Sequence, residues 1–158
     1  MHQSVATMWA DYLATMGETP ETTNLTYTAW HFEITPAGAD KLAALVLKGQ
    51  KRGTASCLWV YDAEGDPIPR PGDLSIITNW EGVAQGIIQA EWVMLVPFAG
   101  VSVSLAQREG EGDGSLKYWQ DVHIPFFEAE CRQIGRVFTP DMPVVFEAFN
   151  LIYPVRAV

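Results

Sequence analysis

Cysteine, histidine and basic residues are scarce in this chain, and each scarcity removes a class of function. Cys57 and Cys131 are the only two cysteines, too few and too far apart to define a disulfide framework or a zinc site. His2, His31 and His123 offer no paired metal-ligand spacing, so reduced thiols, no metal and no cofactor are expected. Ten lysines and arginines stand against nineteen acidic residues, for a formal charge of −9. That balance argues against tight, non-specific binding to a long polyanion, because phosphate contacts supply most of such affinity. No apolar run is long enough to span a bilayer, and the Met-His-Gln-Ser start lacks the basic and then apolar pattern of a secretory signal. No membrane association and a cytoplasmic location are therefore expected. Internal repeats and low-complexity tracts are also absent.

What remains is the composition of an ordinary globular protein. With 48% hydrophobic and 18% charged residues over 158 positions, the chain suffices for a single domain, residues 1–158, with a sizeable core. Val5, Met8, Trp9, Tyr12, Leu13 and Met16 recur at helical spacing after Ser4 as a cap, and Gly17 ends the segment. Residues 1–28 thus read as an N-terminal helical extension whose threonine-rich second half, 18–28, is a connecting loop. A second helix is predicted over 36–48, with Leu42, Leu45 and Val46 inward and Gly49 as its stop. From Thr54 the period changes to two: a strand over 55–61, a turn at Glu64-Gly65-Asp66-Pro67, a strand over 74–78, and one long strand or two over 86–96. A short helix is predicted over 101–109, and Leu116, Trp119, Val122 and Phe126 form another helical stripe that Pro125 is expected to kink or split. Residues 143–153 read as a closing strand. Helices not strictly interleaved with strands indicate an α+β domain with a largely antiparallel sheet that can curl into a barrel.

The segment Gly49-Gln50-Lys51-Arg52-Gly53-Thr54-Ala55-Ser56 is the leading candidate for chemistry. A lysine of depressed pKa takes a proton from a hydroxyl, and a threonine so activated attacks a carbonyl. Lys51 and Thr54 are an odd number of residues apart, so they converge only if the backbone between them is irregular, which Gly53 permits. The plain alternative is a solvated loop lysine and an ordinary strand threonine. Lys48, Lys51 and Arg52 form the one dense basic cluster, the surface on which a phosphate or nucleotide would be met.

The second candidate is Arg108-Glu109-Gly110-Glu111-Gly112-Asp113-Gly114. Like charges held close favour keeping one carboxyl protonated, which makes an acid or base near neutral pH. The spacing lacks the calcium-loop pattern, and a solvated acidic turn is the plain alternative. His123 falls on or near the apolar stripe of Trp119 and Phe126, where it reads as a satisfied, partly buried histidine or as a proton-transfer group. Trp30, Phe32 and Trp59 flank the Lys51 loop in sequence and are candidates for a pocket wall, while Trp30, Trp59 and Trp80 could stack on a base.

Four phrases in order carry a family resemblance: residues 47–59, Pro71-Gly72-Asp73-Leu74-Ser75, residues 109–119, and Asp141-Met142-Pro143-Val144-Val145. Together they resemble the ASCH domain, and more narrowly its larger bacterial members with an added N-terminal helix. The resemblance implies a PUA-like fold, a β-barrel of mainly antiparallel strands surrounded by helices. Small members of that family are amidohydrolases that deacylate N4-acetylcytidine with a lysine, a threonine and a glutamate. The Gly-x-Lys-x-x-Thr motif falls on Gly49, Lys51 and Thr54, and the glutamate falls on Glu109, with Glu111 as fallback. Ser56 stands where many members carry an arginine. The resemblance and the residues together give Lys51, Thr54 and Glu109 as the catalytic set, and Trp30, Phe32, Gly49, Arg52, Ser56, Trp59, Glu111 and His123 as substrate contacts. Thr54 would be the nucleophile, Lys51 its base, and Glu109 would protonate the leaving amine or position water. The expected partner is a small nucleoside or single-stranded RNA, since RNA binding and ribonuclease activity are also associated with the family. Either a monomer or a homodimer fits the apolar stripe of the N-terminal helix.

Overall fold

The computed structural model describes residues 1–155, which divide into two compact units. Five strands follow the order β1 (Tyr27–Trp30), β3 (Leu74–Thr78), β4 (Ala84–Pro97), β5 (Pro143–Tyr153) and β2 (Gly53–Cys57). The β3–β4 and β2–β5 pairs are antiparallel and β1–β3 is parallel. The α+β class and the mostly antiparallel sheet are as expected, but the sheet is open rather than closed into a barrel. Closure requires the two outermost strands to pair, and here those strands, β1 and β2, are only four and five residues long and pair with inner neighbours alone.

One unit comprises Met1–Gly49, Gly72–Ala90 and the chain from Phe149. Its helix α1 (Gln3–Ala14) buries Val5, Trp9 and Leu13 against Leu74, Ile76 and Ile87. The spacing of four sets one face inward. His2, not Ser4, caps it: the His2 ring nitrogen accepts from the Ser4 N–H, while the Ser4 hydroxyl accepts from the Ala84 N–H at 2.8 Å. Helix α2 (Pro36–Leu47) starts at Thr35, whose hydroxyl accepts from the Gly38 N–H, and has Pro36 in its first turn. It buries Ala39, Leu42, Ala43 and Val46, and Leu45 is only half-buried. β1 lies partly within the stretch read as loop. It pairs with the continuously buried β3, so tertiary pairing rather than its own threonine-rich pattern makes it a strand.

The other unit comprises Gln50–Pro71 and Glu91–Ala148. β2 ends at Cys57, and the apolar residues after it form helix α3 (Leu58–Glu64), closed by Gly65 at φ 74°. A short apolar run is equally readable as strand or buried helix face. Helices α4 (Val103–Glu109) and α5 (Leu116–Gln133) are capped by the hydroxyls of Ser102 and Ser115. α5 buries Trp119, His123, Phe127 and Cys131, each four residues after the last, and Pro125 does not split it. Pro125 is exposed, so its missing N–H falls on the side of the helix that water can serve. Ala55, Cys57, Val144 and Phe146 from β2 and β5 pack with Ala106, Trp119 and Phe127 to form this unit's core.

Candidate functional site

The strongest polar cluster lies entirely within the second unit, and two glycines and a backbone bond build it. α4 ends at Glu109, and Gly110 comes next with φ 67°. A side-chain carbon on Gly110 would stand 2.0 Å from the Gln50 carbonyl oxygen, so only glycine lets the two segments touch. The Arg52 N–H donates to the Arg108 carbonyl at 2.9 Å beside it. Gly112, with φ 57°, lies against the Tyr118 ring, 2.4 Å from where a Cβ would be. The turn therefore brings Glu109 and Glu111 onto one partner. Asp113 leaves the cluster, accepting from the Ser115 N–H at 2.8 Å at the surface.

That partner is Lys51. Its side chain is 1% exposed, and Nζ donates to Glu109 Oε2 at 2.9 Å and to Glu111 Oε1 at 2.7 Å. The other oxygen of Glu109 accepts from Trp119 Nε1 at 2.8 Å and lies 3.5 Å from His123 Nε2. The His123 ring stacks on Trp119 with centroids 4.1 Å apart and places Nδ1 2.8 Å from the Trp119 carbonyl. A carbonyl only accepts, so Nδ1 carries a hydrogen and Nε2 is the nitrogen turned to the carboxylate. Glu109 is 2% exposed at its side chain and Glu111 12%.

The electrostatics differ from the sequence-based expectation in two respects: Lys51 is a cation, and Glu109 is ionised rather than held protonated by its acidic neighbours. Burial disfavours the Lys51 ammonium, but the charges and hydrogen bonds of Glu109 and Glu111 outweigh it and raise its pKa above the ordinary lysine value. Lys51 thus rests as a cation rather than as the depressed-pKa base expected, because two carboxylates share its hollow. Burial likewise opposes the Glu109 charge, yet Lys51, His123 and the Trp119 N–H lower its pKa to about 2. Burial lowers His123, and its hydrogen bond to Glu109 and the Glu109 charge more than offset this, so its pKa rises. Among the described residues, no three His, Cys, Asp or Glu side chains are grouped to hold one metal ion.

Lys51, Glu109, Glu111 and His123 are thus brought together. Thr54 and Ser56 occupy the half-buried alternate positions of β2, opposite to the core-facing Gly53, Ala55 and Cys57. Gly53 is required there, since a Cβ would stand 2.8 Å from the Phe146 ring. Arg52 is exposed. Trp59 is half-buried on α3, with the Arg136 guanidinium 4.6 Å over its ring. Trp30, Phe32 and Gly49 belong to the first unit, where Trp30 and Phe32 meet edge-on at 4.8 Å, Phe32 is buried against Phe149, and Gly49 comes after the α2 cap with φ 67°. Sequence reasoning does not reach Trp119 as a member of the cluster. Trp119 shares a helical stripe with His123, four residues on, the signal by which it can be found.

The chain matches the ASCH domain family over residues 28–153. It belongs to that family. A solved ASCH domain from Lactobacillus crispatus JV V101 is 33% identical with a TM-score of 0.89, over 97% of this chain and 96% of that one. A protein of known structure from Enterococcus faecalis V583 is 30% identical with a TM-score of 0.86, over 96% of this chain and 90% of that one. The comparison with curated proteins finds no match. In this ASCH domain the matched stretch contains the whole Lys51 cluster, while α1 lies before it. No helix among the described residues is long and apolar enough to cross a membrane.

Proposed function

We propose that this ASCH domain protein is an amidohydrolase acting on an exocyclic amide of an N4-acylated, cytidine-type nucleoside. The supporting observation is the buried ammonium of Lys51 held by Glu109 and Glu111, three residues before a threonine on β2. Amide hydrolysis develops negative charge on the carbonyl oxygen, and a fixed buried cation suits that demand. In this reading Thr54 is the nucleophile, Lys51 stabilises the oxyanion, and the Glu109/Glu111 pair with His123 fixes Lys51 in place. The net charge of −9 favours a small uncharged substrate over a polyanion.

The test is incubation with N4-acetylcytidine, monitoring release of cytidine, for wild type and for Lys51→Ala, Thr54→Ala and Glu109→Ala. Turnover by wild type and its loss in the variants supports the reading; an inert wild type defeats it. The second reading, single-stranded RNA binding or cleavage, is favoured by exposed Arg52 beside Lys51. It predicts binding that weakens steeply with salt.

A further inference from the structure

Resting on the amidohydrolase reading, we propose that Glu147 of β5 is the base that takes the Thr54 proton. The need for such a group arises from Lys51, whose Nζ is held as an ammonium between two carboxylates and so accepts no proton from a hydroxyl. β2 and β5 are antiparallel with Thr54 directly opposite Glu147. Residues opposed in this way share a face of the sheet, with Cβ atoms about 4.5–5.5 Å apart, which puts a glutamate carboxyl within reach of a threonine hydroxyl.

Two further observations point the same way. Glu147 is 7% exposed within an otherwise apolar, buried stretch of β5. An apolar residue would make the same strand at lower cost, because a buried carboxylate loses its hydration. Burial raises the Tyr61 phenol, its hydrogen bond to Ser56 lowers it and the Glu147 charge raises it, which sets Glu147 and Ser56 both near Tyr61, Ser56 being two residues from Thr54 on the same face of β2.

The step balances within these groups. The Thr54 Oγ1–H proton passes to Glu147 as Oγ1 bonds to the acyl carbon, and the carbonyl π pair moves onto oxygen. Collapse breaks the C–N bond, and the departing exocyclic nitrogen takes the proton back from Glu147. Water then adds to the acyl-threonine, giving its proton to Glu147, which returns it to Thr54 as the carboxylic acid leaves.

The experiment compares wild type, Thr54→Ala, Glu147→Gln and Glu147→Asp with two acyl donors. With N4-acetylcytidine, kcat falls about 10²–10⁴-fold in Glu147→Gln, with KM little changed, and Glu147→Asp recovers part of the loss. With p-nitrophenyl acetate, mass spectrometry finds an acetyl group on Thr54 of wild type, none at that position in Thr54→Ala, and slower acetylation in Glu147→Gln. Equal acetylation of Thr54 in wild type and Glu147→Gln, or no acetylation of Thr54 in wild type, overturns the proposal. Glu147-dependent acetylation in a protein inert toward N4-acetylcytidine upholds the base and overturns only the substrate reading. If Glu147→Gln does not fold, Glu147→Asp carries the comparison, and rates equal to wild type in both assays overturn the proposal.

Discussion

Lys51 Nζ reaches Glu109 Oε2 at 2.9 Å across 58 residues of sequence, and both side chains are almost wholly out of water. A charge pair so deep is costly to make and more costly to break, because the survivor keeps its desolvation penalty and loses its compensation. The integrity of the site therefore depends on the groups that hold this pair in place.

Replacing the cation exposes the penalty. Lys51→Met leaves Glu109 and Glu111 facing each other without the ammonium that joined them, and the expected loss is about 3–5 kcal/mol. Urea unfolding of wild type and variant gives the number. The variant should recover part of the loss as pH falls and one carboxyl takes a proton; a change of only a few tenths at neutral pH would contradict the burial assigned to the pair.

Acid tests the same pair from the other side. The folded pKa of Glu109 lies below its ordinary value, so its contribution to stability is complete above the ordinary carboxyl range and is lost as pH falls towards about 2. His123 is shifted upward, so its contribution is complete below the ordinary histidine value and is lost as pH rises through the folded value. Urea midpoints measured from strongly acidic to mildly alkaline pH should fall at both ends. Glu109→Gln should flatten the acid fall, and His123→Asn the alkaline one.

Gly110→Ala tests the loop that aims the two glutamates. The new methyl meets the Gln50 carbonyl at a backbone angle of φ 67°, where alanine is strained as well as crowded. A loss exceeding about 1 kcal/mol is expected, with kcat lowered because Glu109 and Glu111 no longer converge. Thermal melts and steady-state kinetics check the two halves separately, and a variant as stable as wild type would remove the glycine argument.

Much of this arrangement is legible in the residues themselves. Thr35-Pro36 and Gly49 bracket α2 by their own backbone chemistry, and the Gly-x-Lys-x-x-Thr and Glu-Gly-Glu-Gly phrases mark both halves of the site. The remainder depends on contacts distant along the chain. Leu58 to Tyr61 look like strand until the α3 cap at Gly65 is considered, and β1 exists because β3 pairs with it. The pKa of Lys51 runs opposite to the expectation because desolvation alone lowers a lysine, and nothing in the spacing of residues 51, 109 and 111 says that two carboxylates arrive together. Glu147 becomes visible only when the β2–β5 register sets it against Thr54.

The most direct measurement is cytidine release from N4-acetylcytidine by wild type and Lys51→Ala, repeated at low and high salt. Wild type is expected to turn over at a rate that hardly responds to salt, since the substrate is neutral and the ion pair is buried, and the variant not at all. Absence of turnover by wild type, together with RNA binding that collapses over the same salt range, would contradict that expectation.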